Sequence, residues 1–137
     1  MSRPASPSVR LPSTAAEFLD RPDPGVLTTL RADGTPHAAP VRFTFDAADG
    51  LVRVTTRAGA RKARNVLAGG PAARAALCQA DGFRWITLEG RARVTDDPGR
   101  LAEAVRRYTD RYRAQPPSPP DLVVVEIAVD RVLSLNL

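Results

Sequence analysis

The spacing of apolar residues along this chain changes period several times, and the changes divide it into strands and a few short helices. From Gly25 to Leu30 and from Pro36 to Phe45 the period is two, around an Asp33-Gly34 turn, which predicts a β-hairpin. In its second arm Val41, Phe43 and Phe45 alternate with Pro40, Arg42 and Thr44, so one face belongs to a core and Arg42 to the other. Asp49-Gly50 predicts another turn, followed by a strand from Leu51 to Thr56 with Val52, Val54 and Thr56 on one face. Beyond Gly59 the period becomes helical, with Ala63, Val66 and Leu67 on one side and Gly69-Gly70-Pro71 as the stop. Arg74 to Gln79 reads as a strand, and Phe83 to Val94 as a long one or a bent pair in which Gly90 marks a bend or bulge. Phe83, Trp85, Thr87 and Glu89 share one of its faces; Arg84, Ile86 and Leu88 share the other. Asp97 is placed to cap a helix with Pro98 in its first turn and a stripe of Leu101, Val105, Tyr108 and Tyr112. After the stiff Pro116-Pro117-Ser118-Pro119-Pro120 connector come a strand from Leu122 to Val129 and a separate short strand from Val132 to Leu135.

Strands joined by short turns, about six or seven of them with two or three short helices, predict a mainly β (α+β) barrel rather than a doubly wound sheet. No G-x-G-x-x-G follows a strand and no phosphate-cradling G-x-x-x-x-G-K-[ST] loop occurs, so neither common nucleotide-binding unit is supported. Residues 1–13 combine Pro, Ser and Arg and are expected to form a flexible arm, leaving residues 14–137 as a single domain. Ser13 or Thr14 is placed to cap a short helix through Leu19, with Glu17 closing a capping box on Thr14 and Pro22 ending it.

A chain of 137 residues with 43% hydrophobic content can close one core without disulfides or a structural metal. One cysteine, Cys78, and one histidine, His37, supply no four-ligand zinc site. The lone thiol fits a reducing compartment, and Arg and Pro stand where a secretory signal needs its apolar stretch, so a cytoplasmic location is expected. The longest apolar run, Leu122 to Val125, is far below the roughly 20 residues of a membrane span, and no membrane partner is expected. The net charge is +5, but all basic residues except Lys62 are arginines, which reads as coding bias. Aromatic and basic residues are not interleaved, so nucleic acid is not expected as a partner.

The positions of the charges say more than their sum. Arg57, Arg61, Lys62 and Arg64 fall within eight residues that contain no acid, at a strand end and the first helical turn. Free backbone N–H groups and the helix dipole already favour an anion there, so cations oppose the helix unless an anion is bound. Arginine and lysine can grip a phosphate, and the hydroxyls of Thr55 and Thr56 can donate from the strand end. A solvated basic helix face explains the same residues equally well. No Ser-His-Asp set, Cys-His pair or paired carboxylate pocket speaks for a hydrolase; Asp96 and Asp97 read as caps and His37 as a turn or strand-surface residue.

Gly25 to Leu30, Asp33-Gly34-Thr35-Pro36-His37, Thr55-Thr56 followed by Arg61 to Leu67, and Glu89 to Val94 together resemble the pyridoxamine 5'-phosphate oxidase-related flavin-binding proteins. The branch most resembled is the short coenzyme F-420 (deazaflavin) dependent oxidoreductases. The resemblance implies a split β-barrel that forms a homodimer with two cofactor sites between the protomers. It implies hydride transfer to a small unsaturated or quinone-like substrate, with coenzyme F-420, or alternatively FMN, as cofactor; a non-catalytic cofactor-binding module is the third reading. Arg61 and Lys62 would hold the cofactor phosphate, with Thr55 and Thr56 lining the same pocket. Pro40, Val41, Arg42 and Phe43 match the stretch that runs along the ring through its backbone. Phe83 and Trp85 match positions where aromatics flank the cofactor, although barrel core for Phe83 and a dimer contact for Trp85 are equally open. No catalytic side chain is demanded. Vitamin B6 oxidases of the family carry a longer C-terminal segment with substrate-gripping arginines and haem-degrading relatives depend on a histidine in an additional region, so neither activity is expected here.

Overall fold

Period-two strands separated by tight turns lay most of the chain into one sheet, and the computed structural model describes residues 10–137 of it. In chain order the elements are α1 (Ser13–Asp20), β1 (Gly25–Leu30), β2 (Pro36–Val41), β3 (Thr44–Asp46), β4 (Leu51–Arg57), α2 (Arg61–Gly69), β5 (Arg74–Asp81), β6 (Arg84–Thr95), α3 (Pro98–Tyr112) and β7 (Leu122–Leu135). The seven strands form one sheet in the order β2-β1-β5-β6-β7-β4-β3, and every pairing is antiparallel. Its first and last strands, β2 and β3, are neighbours in sequence, joined only by Arg42 and Phe43. The sheet therefore coils until its two edges meet at that dipeptide, and the mainly β (α+β) split barrel is confirmed. The barrel interior takes Leu27, Phe43, Val52, Val54, Leu77, Ile86, Leu88, Val125 and Ile127, all essentially buried. No helix among the described residues is long and apolar enough to cross a membrane.

Several sequence expectations shift. The predicted strand from Pro36 to Phe45 is split: β2 pairs with β1, β3 pairs with β4, and the chain changes ladder at Arg42 and Phe43. The face alternation survives the split, because Val41 and Phe43 are buried in the core cluster and Phe45 packs against it. The two C-terminal strands are one, β7, since it pairs along β6 from Val124 to Leu135 with a single bulge. A bulge absorbs the irregularity: Glu89 faces Arg131 while Gly90 faces Val129, leaving Asp130 to pair bidentately with Arg74 at 2.7 and 2.9 Å. Gly90 is required there, because a Cβ would lie 1.8 Å from the Ala128 carbonyl oxygen. The capping box on Thr14 is absent, since Ser13 is already helical and the Pro12 carbonyl accepts from Ala15 and Ala16 instead. On α2, Leu67 is 57% exposed and Asn65 turns inward in its place, donating to Thr29 Oγ1 at 3.0 Å. Asp97 does cap α3, accepting from the Arg100 N–H at 3.0 Å. Of the arm assigned to residues 1–13, residues 1–9 lie outside the described residues; Leu11 packs against the core and Ser13 begins α1.

Helix α3 covers the outer face of β3, β4 and β7, and that contact is ionic. Asp46 and Arg53, with side chains only 5% and 7% exposed, pair at 3.2 Å, and Arg107 of α3 joins Asp46 at 3.1 Å. Beside them buried Glu126 takes Arg93 of β6 at 2.8 Å and Arg100 of α3 at 3.0 Å. Burial, the largest influence on Asp46, pushes its carboxyl up. The Asp49 backbone N–H and the guanidiniums of Arg53 and Arg107 together outweigh burial and hold it below the ordinary range. A lowered carboxyl contributes stability that is complete above the unfolded-state pKa of about 4 and is lost as pH falls through the folded-state value. Asp46→Asn should therefore cost about 3 kcal/mol at pH 7 by leaving the buried Arg53 unpaired, while Arg107 keeps Glu103 at 3.6 Å. Chemical unfolding followed between pH 7 and pH 3 should show the wild type losing part of its advantage at the acid end, with a flatter profile for the variant.

Candidate functional site

Four cations lie close together where β4 hands over to α2. Arg57 ends the strand, a turn closes with Ala60 donating to the Arg57 carbonyl at 3.0 Å, and α2 starts at Arg61. Its N-cap is Ala60, which has no side-chain acceptor, and no acid stands in its first turn. Arg61 and Arg64 are exposed and Lys62 half-buried; among the described residues no carboxylate pairs with any of the three. Arg57 reaches Asp121 only at 3.6 Å. Arginines 53, 74, 93, 100 and 107 are each matched to a carboxylate. The α2 N-terminus thus brings cations, the helix dipole and open N–H groups together. That donor set fits a phosphate.

Thr55 and Thr56 close β4 beside β7, opposite Val124 and Val123, and both are half-buried. Successive side chains of a strand point to opposite faces, so Thr56 lies on the interior face with Val54 and Thr55 on the Arg53 face. One bound phosphate can take one of these hydroxyls and the backbone of the other. The β2–β3 crossover runs toward the same strand end, since Thr44 pairs with Arg53 and the chain before it lies antiparallel to the chain after Arg53. Pro40 and Arg42 are exposed there, and Val41 and Phe43 are buried beneath them.

Phe83 and Trp85 do not join this group within one chain. The β6 residue level with Thr55 across β7 is Thr95, ten positions from Trp85, or roughly 30 Å along an extended strand. Phe83 stands in the β5–β6 turn, 84% exposed, so the barrel-core alternative for it is excluded. Trp85 lies on the outer sheet face between Ala80 of β5 and Leu135 of β7. That face carries the exposed apolar side chains Val26, Leu30, Leu133 and Leu135, and strand register sets Pro40, Val26, Cys78, Thr87 and Leu133 in one row across five strands. His37 is on β2 opposite Thr29, half-buried.

Sequence reasoning missed the tyrosines of α3. Tyr112 Oη accepts from the Phe43 N–H at 3.0 Å and lies 3.0 Å from the Phe43 carbonyl and 3.3 Å from that of Asp23. Tyr108 Oη accepts from Arg42 at 3.0 Å. Their helical stripe was legible, but only the closed barrel shows what it meets. A separate cavity of about 430 Å³ lies among α1, β3 and α3, lined by Leu11, Leu19, Phe45, Arg107 and Arg111 among others, and includes none of the predicted site residues.

Seven antiparallel strands coiled into a split barrel, with three helices packed around it, define the class of small split β-barrel proteins. The chain belongs to the pyridoxamine 5'-phosphate oxidase family, whose model matches residues 11–136. It is 44% identical over 126 residues, 92% of this chain and 89% of the other, to F420H(2)-dependent biliverdin reductase of Mycobacterium tuberculosis. Among solved structures it resembles one described as an F420 Reductase, with TM-score 0.70 and 26% identity over 90% of this chain and 98% of that one. A conserved hypothetical protein from Mycobacterium tuberculosis shares the fold at TM-score 0.76 and 23% identity, covering 98% of this chain and 89% of that one.

An open anion site should reveal itself to phosphate alone. Millimolar inorganic phosphate should raise the thermal midpoint of the wild type, and the double variant Arg61→Ala, Lys62→Ala should lose that response. In phosphate-free buffer its midpoint should be equal or higher by a degree or so, because two charges opposing the helix dipole are gone. A lower midpoint without phosphate would mean that these cations serve the fold instead.

Proposed function

We propose that this chain is an oxidoreductase that uses coenzyme F-420 for hydride transfer to a small unsaturated or quinone-like substrate. The observation that carries the reading is the unpaired cationic start of α2 beside the β2–β3 crossover, in a chain 44% identical to an enzyme whose name specifies reduced F-420. Arg61 and Lys62 hold the cofactor phosphate, with Thr55 or Thr56 donating beside them. Pro40, Val41, Arg42 and Phe43 lay their backbone along the ring. Bound there, the deazaflavin supplies the hydride chemistry. The residues bind and orient it and, with the buried Val41 and Phe43 beneath, limit water on one side. Biliverdin, named for the relative, is the first substrate to test.

FMN presents an equivalent phosphate, and family membership supports it as the alternative cofactor. Titration of the purified apo-protein with F-420 and FMN, followed through Trp85 fluorescence and cofactor absorbance, separates the two. Tight F-420 binding with weak FMN binding is the expected result. The reverse order places the chain among FMN-dependent oxidases or reductases, and binding of neither overturns the reading.

The active form in this proposal is a cytoplasmic homodimer, the compartment resting on the single cysteine. Exposed apolar patches of this kind mark interaction surfaces. Two copies packed through the outer face of β1, β5, β6 and β7 would cover Val26, Trp85, Leu133 and Leu135 and bring Phe83 and Trp85 of one protomer to the other's cofactor. Leu133→Glu with Leu135→Glu should yield a monomer by light scattering and weaken F-420 binding at least about tenfold through the incomplete site. A double variant that remains dimeric would assign the interface elsewhere.

A further inference from the structure

Arg42 is held in a fixed pose yet has no counter-ion. Its Nη1 donates to Tyr108 Oη at 3.0 Å, and its guanidinium carbon lies 4.9 Å from the Tyr112 ring centroid and 5.9 Å from that of Tyr108. The two rings are themselves 4.9 Å apart, with their planes at 49°. Tyr112 is fixed in turn by its hydrogen bonds to Phe43 and Asp23, so the platform beneath Arg42 is tied to the barrel backbone. The Arg42 side chain is exposed, and among the described residues no carboxylate forms an ion pair with it. A guanidinium carries five N–H donors in a planar fork, and Tyr108 takes one, leaving donors free for a two-oxygen acceptor. The hydrogen bond it donates to Tyr108 raises its pKa further, so the charge is permanent. Stacking an arginine on aromatic rings without an acid partner limits its motion while keeping its charge available.

We propose that Arg42 anchors a carboxylate of the substrate, with Tyr108 and Tyr112 as the residues that position it. The substrate class is then an unsaturated compound bearing a carboxylic acid rather than a neutral quinone. This rests on reading the crossover as the F-420 site, and it divides the labour there. The backbone of Pro40 to Phe43 faces the ring, the α2 N-terminus takes the cofactor phosphate, and the Arg42 side chain remains for the substrate. The register of β3 on β4 puts Arg42 alongside the chain that leads to Thr55, so both anionic groups meet the protein at the same end of β4.

The test compares biliverdin, which bears two carboxylates, with its dimethyl ester, as ligands of the F-420-loaded protein, read by quenching of Trp85 fluorescence. The wild type should bind the acid about tenfold more tightly than the ester. Arg42→Ala, loaded at saturating F-420, should bind acid and ester alike, at the wild-type ester's affinity. Tyr108→Phe keeps the ring and removes the hydrogen bond, and should reduce the acid–ester ratio to about threefold. A purely structural role for the tyrosine would leave that ratio intact while lowering the thermal midpoint. Equal or absent binding of acid and ester by the wild type overturns the proposal, as does an Arg42→Ala variant that weakens F-420 and not the acid. Failure of the wild type to bind F-420 at all would overturn the cofactor reading, a result visible before any substrate is added.

Discussion

The barrel closes because one phenol hydroxyl satisfies a residue that belongs to neither ladder. Between β2 and β3 the chain leaves its pairing with β1 before it joins β4, and the buried Phe43 would be left with both backbone polar groups unpaired. An unpaired buried donor or acceptor costs about 1–3 kcal/mol. Tyr112, at the end of α3, meets both groups at 3.0 Å. Much else hangs from that junction. Helix α3 is fixed at its C-terminal end, and Arg111 one residue earlier reaches the Leu19 carbonyl, the Asp23 carbonyl at 3.0 Å and Gln79 Oε1 at 3.2 Å, which ties α1 across the barrel mouth. Arg42 acquires its pose from the same two tyrosines.

Helix α3 is also held by charge along its length, with Asp46, Arg53 and Arg107 in one group and Glu126, Arg93 and Arg100 in the other. Buried ion pairs add little net stability compared with well-packed apolar groups, but breaking one is expensive. Their value here is that they admit one position of the helix on the sheet. Arg42 and the cations of the α2 N-terminus, none of them matched to a carboxylate, lie toward one end of β4 and are the two anion-accepting points of the proposed site. A reductase that binds a phosphorylated cofactor and an acidic substrate has use for both.

One protomer supplies a surface rather than an enclosed pocket at this place. The phosphate-binding end, the crossover and the apolar outer face lie on different parts of a coiled sheet, and Trp85 is a strand length away from Thr55. In the proposed dimer, a site shared between two copies would bridge that separation without moving any strand and would cover Leu133 and Leu135, which the filled barrel leaves outside.

Local chemistry made much of this legible from the residues alone. Period-two alternation marked the strands and their core faces, Asp97-Pro98 marked the start of α3, Gly90 marked the bulge, and the acid-free run from Arg57 to Arg64 marked the candidate anion site, because each depends on neighbours in sequence. The break at Arg42 and Phe43 could not be read, since the apolar alternation continues through it and only the choice of ladder changes. The fusion of the last two strands into β7 depends on β6 and its bulge, the inward turn of Asn65 on Thr29, and the roles of Tyr108 and Tyr112 on residues more than 60 positions away. The sequence by itself determined which stretches are strands, which faces are apolar and where positive charge is uncompensated. Only the tertiary structure decided which cations are matched and which are left free, because an ion pair or a shared hydroxyl needs two partners that the chain brings together only when the barrel closes.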